Sequence, residues 1–186
     1  MARTAGAGWE HGWALIFLAT LALARADNAE AIAFTYECDR VLGAAGDREA
    51  HAWCSAIRGG ARWAARDGGG AGADLPRALH EFQELGGLWG LSLSMLLAGF
   101  VIGSAGRPEA AIPLLAVAES LRASIGVVNQ PFIQAWLAEA LASVRAAVDP
   151  GTFGRSWAAG TALAADEALA ETLAQLRLLQ PDPAEM

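Results

Sequence analysis

The feature that most constrains this chain is that it repeats itself. His11-Gly12-Trp13-Ala14 returns at an offset of 40 as His51-Ala52-Trp53-Cys54. A longer match, at an offset of 79, sets residues 18–27 against 97–106. Asn28-Ala29-Glu30-Ala31 then pairs with Arg107-Pro108-Glu109-Ala110. Periods of this length mark stacked supersecondary units, none of which can bury its apolar face alone. Three units follow, near 9–46, 47–87 and 88–126, closed by glycine breaks at Gly46, Gly86-Gly87 and Gly126.

Each unit is expected to be two helices and a turn. In the first, an apolar helix over about 9–25 precedes one capped by Asp27 or Asn28, with Ile32 and Phe34 on its apolar side. In the second, a helix over about 48–66 contains Gly59-Gly60, and 67–73 reads as a glycine-rich loop. The third is the most regular. A helix over about 88–104 ends at Gly106, and Pro108 opens a helix carrying Leu115, Ala118, Leu121 and Ile125 on one face, with Pro113 inside it. The first helices of units one and three are apolar on nearly every side, so burial on two faces is expected, including residues 18–23 and 95–102; left exposed, these two stretches would instead form a surface for a partner helix.

Beyond Gly126 the pattern changes. Helices are expected over about 132–148 (Trp136, Leu137, Leu141 and Val144 inward), from Asp149-Pro150 to Gly160, and over about 165–179 (Leu169, Leu173 and Leu176 inward). Residues 127–186 thus form a helical cap. The expected fold is all-α: a right-handed, TPR-like stack of antiparallel helical hairpins, an α-solenoid of about nine helices in one structural domain.

Composition supports helix. Among 186 residues there are 44 Ala and only 20 Val, Ile and Thr together. A hydrophobic content of 54% with 18% charged residues excludes disorder, and two Cys exclude a disulfide scaffold. Cys38 and Cys54 read as small buried hydrophobes. The net charge is -7, the 13 Arg are scattered singly and Lys is absent. Neither a nucleic-acid stripe nor a polybasic membrane patch is present, so neither partner is expected. The start of the chain imitates a secretory signal, with Arg3, an apolar run over 12–24 and Ala24-Arg25-Ala26 as a cleavage-like site. Export with loss of residues 1–26 is one reading. The match of the same segment to the repeat favours retention and a cytoplasmic protein.

No catalytic or metal-ligand spacing occurs, no enzyme is expected, and no cofactor is implied. His11 and His51 are repeat equivalents, each two residues before a Trp. His11, Trp13, His51, Trp53 and Trp89 form the candidate interaction or ligand face. A pocket lined by Trp13, Trp53 and Trp89 would make the chain a small-molecule-binding domain. Packing of these Trp in the core is the plainer alternative. His80 has no recognisable partner, and Ser92 and Ser94 have no nearby base.

Residues 88–173 resemble the C-terminal helical-repeat region of large bacterial transcriptional regulators, the ATPase-containing regulators of the LuxR and related types. The resemblance runs through Gly106-Arg107-Pro108-Glu109-Ala110-Ala111 and Leu114-Leu115-Ala116-Val117-Ala118-Glu119-Ser120-Leu121-Arg122. It continues through Leu141-Ala142-Ser143-Val144-Arg145-Ala146-Ala147 and Phe153-Gly154-Arg155-Ser156-Trp157-Ala158-Ala159-Gly160, then Ala162-Leu163 and Glu167-Ala168-Leu169. It implies a scaffold that contacts a protein partner, a neighbouring regulator domain or a small-molecule inducer. The family's ATPase carries G-x-x-x-x-G-K-[ST], which a chain without Lys cannot hold, so ATP binding does not carry over. Nor does DNA binding, since no segment resembles the family's helix-turn-helix domain.

Overall fold

The computed structural model describes residues 2–43 and 46–179, with side chains from residue 8 onward. Among the described residues every regular element is a helix: α1 (Ala2–Ala24), α2 (Asn28–Leu42), α3 (Arg48–Ala64), α4 (Gly68–Leu85), α5 (Leu88–Ser104), α6 (Pro108–Ser124), α7 (Pro131–Ala147), α8 (Pro150–Ala162) and α9 (Ala165–Arg177).

What divides the chain is a left-handed residue every 20 positions. Ala26, Gly46, Arg66, Gly86, Gly106 and Gly126 all have φ between 59° and 82°. Each donates its N–H to the carbonyl three residues back, at 2.9–3.1 Å. The N–H groups of Asp27, Asp47, Asp67 and Arg107 reach back five, to Ala22, Leu42, Arg62 and Ile102. These paired bonds satisfy the last helical carbonyls and reverse the chain. Asp27, Asp47 and Asp67 then cap the next helix, accepting from the N–H groups of Glu30, Ala50 and Gly70 at 3.2, 3.0 and 2.9 Å. Helices α2 to α6 therefore start at 28, 48, 68, 88 and 108.

This backbone phase corrects the longer sequence match. Gly106 is equivalent to Ala26, 80 residues earlier, so an offset of 79 is one residue short. Runs rich in Ala and Leu align almost as well one residue out of step. The phase also corrects the loop expected over 67–73. Residues 68–73 belong to α4, because Asp67 caps a helix whose first turns pack Ala71 and Gly72 inward.

The chain forms two compact units, Met1–Gly86 and Gly87–Met186. In the first, α1 packs on α2, α2 on α3 and α3 on α4, and α1 also touches α3. Small residues set the spacing. Ala22, Ala31 and Ala61, one from each of the first three helices, meet in the core, flanked by Leu23, Ile32 and Phe34. A Cβ on Gly12 would lie 2.3 Å from the Leu42 side chain, and one on Gly59 would lie 2.7 Å from that of Leu75.

In the second unit, α5 and α6 form a hairpin onto which α7 and α9 pack, while α8 packs on α6. Gly99 meets Leu115 as Gly59 meets Leu75, a Cβ here falling 2.8 Å from the leucine. Both glycine and leucine are displaced by 40, so one helix crossing is built twice. Buried residues fill α5 from Gly90 to Gly99, as its all-round apolar pattern requires. Helix α7 turns Ile133, Ala140 and Val144 inward, leaving Trp136, Leu137 and Leu141 half-buried. Gly160 is not a helix end. It lies inside α8, fully enclosed, where a Cβ would stand 2.4 Å from the Pro113 carbonyl oxygen of α6. The buried side of α9 is the expected one, with Leu169, Leu173 and Leu176 enclosed.

Two left-handed positions carry side chains, Ala26 and Arg66. We expect Ala26→Gly and Arg66→Gly each to stabilise the chain by about 1 kcal/mol, because a Cβ there costs roughly 1–2 kcal/mol. Gly160→Ala is expected to cost about 1–3 kcal/mol through its clash with backbone. Urea unfolding of the three variants checks both signs.

Candidate interaction surface

The sequence-predicted residues fall in different environments. His11 is exposed on α1, its Nε2 lying 3.9 Å from Glu37 on α2. His51 is half-buried on α3, its Nδ1 lying 2.9 Å from Glu81 on α4. Each histidine is thus tied to a glutamate of its own hairpin. Among the described residues no three His, Cys, Asp or Glu side chains converge as a metal site. Trp13 is half-buried, tilted against Trp9 at 5.9 Å between centroids, and its buried Nε1 meets no acceptor among the described residues. Trp53 is a core residue, 5% exposed and edge-on to Phe82 at 5.0 Å. Trp89, at the start of α5 in the other unit, is exposed. His80 is exposed on α4, and Ser92 and Ser94 are buried in α5.

Burial of α1 on two sides is not realised. Gly12, Leu15, Ile16, Ala19 and Ala22 face inward, while Phe17, Leu18 and Leu21 are 54%, 44% and 45% exposed. Trp9 lies beside them, also exposed. The neighbours α2 and α3 cover one flank, and the apolar stripe lies outside it. Helix α5, which is more apolar and carries no charged residue, is enclosed instead.

The most highly charged feature is hidden from the sequence, because its hydrogen-bonded partners are 12 to 26 residues apart and lie on three helices. Arg58 on α3 is almost fully buried. Its Nε and Nη2 donate to the two carboxylate oxygens of Asp74 on α4, each at 3.1 Å, and its Nη1 donates to Asp39 on α2 at 2.8 Å. Arg62, one turn on, donates to the same Asp74 at 2.7 Å and to the Tyr36 hydroxyl. The Tyr36 ring lies 5.0 Å from the Arg58 guanidinium, within cation–π range. Burial works against the Arg58 charge, but hydrogen bonds and attraction from Asp74 and then Asp39 outweigh it, raising its pKa. The only sequence signal is one of spacing: Arg58 and Arg62 lie four apart, on one helical face.

Beside this network lie Cys38 and Cys54, both buried and unbridged. Their hydrogen bond and burial push the Cys54 thiol well up, while the same bond holds Cys38 down. In the second unit, an open cleft of about 320 Å³ lies between α6 and α7, lined in part by Glu119, Arg122, Asn129, Gln134 and Leu137. Arg122 donates twice to Glu119 and once to the Val127 carbonyl, and Gln134 donates to the Asn129 carbonyl. Contact with Glu119 raises the Arg122 pKa. No described helix is long and apolar enough to cross a membrane.

Set against protein-family models, curated proteins and solved structures, the chain matches none.

Removing Arg58 would leave the buried carboxylate of Asp74 short of its bidentate partner. Arg58→Met is therefore expected to destabilise by roughly 3–5 kcal/mol, and the double change Arg58→Met with Asp74→Leu by less than Arg58→Met alone. Thermal unfolding followed by circular dichroism checks the order.

Proposed function

We propose that the chain is a non-enzymatic helical-repeat module binding a protein partner within a bacterial transcriptional regulatory system. On this reading its hairpins form a right-handed, TPR-like α-solenoid and α7–α9 act as its cap. The 20-residue alternation of helix and left-handed turn carries the proposal, because arrays of such hairpins characteristically serve as extended binding surfaces. The resemblance of residues 88–173 to regulator C-terminal regions supports the regulatory setting by analogy of fold. The partner is a protein or a neighbouring regulator domain, and the protein works in the cytoplasm. The first helix of each hairpin supplies the contacts, through the accessible His11, His51 and Trp89.

A second reading is binding of a small molecule, favoured by the cleft between α6 and α7. Its volume of about 320 Å³ is at the low end of ligand sites, and Arg122, Asn129 and Gln134 line it.

Cross-linked affinity capture of the tagged full chain from its native cell tests the first reading. One protein should be retained in stoichiometric amount, and Trp89→Ala should weaken its binding about tenfold or more, as aromatic anchors do. Recovery of no partner, together with a tryptophan emission shift on titration with a metabolite panel, would overturn it in favour of the second.

A further inference from the structure

The outer face of α1 is symmetric with itself. Its exposed positions include Glu10, Ala14, Phe17, Leu18 and Leu21, and Arg25 continues the same stripe one residue past the helix. At about 100° per residue these six fall within one stripe roughly 100° wide and about 22 Å long. Reversing the helix about the midpoint between Phe17 and Leu18 carries Glu10 onto Arg25, Ala14 onto Leu21 and Phe17 onto Leu18. The same operation exchanges Ile16 with Ala19, both at most 4% exposed, and carries the buried Gly12, Leu15 and Ala22 onto the half-buried Leu23, Thr20 and Trp13.

We infer that α1 is the interface of a two-fold symmetric homodimer, pairing antiparallel with α1 of a second copy. A two-fold contact requires that whatever residue i touches, its symmetry mate touches in return, and this stripe meets that requirement at every position. The centre is apolar, with Phe17 and Leu18 of each copy meeting around the axis. The small Ala14 leaves space that the partner copy's Leu21 side chain fills. At the two ends, Glu10 of one copy meets Arg25 of the other. Arg25 is 67% exposed and, among the described residues, pairs with Glu30 at 3.4 Å, an exposed contact it can exchange for Glu10 of the second copy. Charge at both ends also fixes direction. A parallel pairing would set Glu10 against Glu10 and Arg25 against Arg25. A different protein has no reason to match this symmetry, which is why a second copy is the occupant we assign.

The contact is one helix wide, smaller than the roughly 800 Å² per partner of a standard interface, so micromolar affinity is expected. Sedimentation velocity of the full chain, from about 1 to about 200 μM, is the test. The mass should rise from that of the 19.3 kDa chain towards twice that value. Leu18→Glu, at an exposed position, should leave the circular dichroism spectrum unchanged and weaken dimerisation at least tenfold. Glu10→Arg and Arg25→Glu should each weaken it several-fold, and the two together should restore it. Three results overturn the assignment: a wild-type chain that stays monomeric throughout, a self-association that Leu18→Glu leaves intact, or a charge exchange no better than either single change.

Discussion

A residue held in the left-handed conformation every 20 positions governs the first two-thirds of this protein. That backbone state ends one helix and aims the chain back along it, and the capping residue that follows starts the next. Once the spacing of turns is fixed, so is the length of each helix. Fixed lengths put the same numbered positions opposite each other in successive hairpins, which is how Gly59 and Leu75 come to be reproduced as Gly99 and Leu115. Three turns use different chemistry for one geometry. Ala26 and Arg66 carry a Cβ into a region that disfavours it, whereas Gly106 does not.

Much of this was legible in the sequence. The 40-residue offset of His11 and His51, the breaks at Gly46, Gly86 and Gly126, and the bounds of α5 all follow from residue types with strong local meaning. Asp67 shows where legibility ends. A run of three glycines after it has poor helix propensity, and only the cap together with packing of Ala71 and Gly72 makes it helical. Gly160 misleads for a related reason. Glycine ends helices, but it also sits wherever two backbones come close, and α6 is not visible from within α8.

The candidate site was less legible than the fold. The histidines and tryptophans singled out by repetition prove to be unlike one another in burial, because the hairpins they occupy have different neighbours. The Arg58 network was hidden because Asp39, Arg58 and Asp74 only meet once three helices are packed. Its cost and its value are both large: two charges are withdrawn from water, and the bidentate geometry then requires α3 and α4 to be in one register. An apolar crossing at Gly59 permits some sliding; a forked guanidinium on a carboxylate does not.

The regular step of 20 also bears on how such a chain can change in length. One residue inserted within a helix rotates everything beyond it by about 100° and moves the next left-handed turn out of phase. A gain or loss of 20 residues restores the turns but exchanges first helices for second ones. Only a step of 40 returns glycine to glycine and leucine to leucine at the crossings. Its length is in effect quantised, and the unit that duplication or deletion can handle is the hairpin rather than the helix.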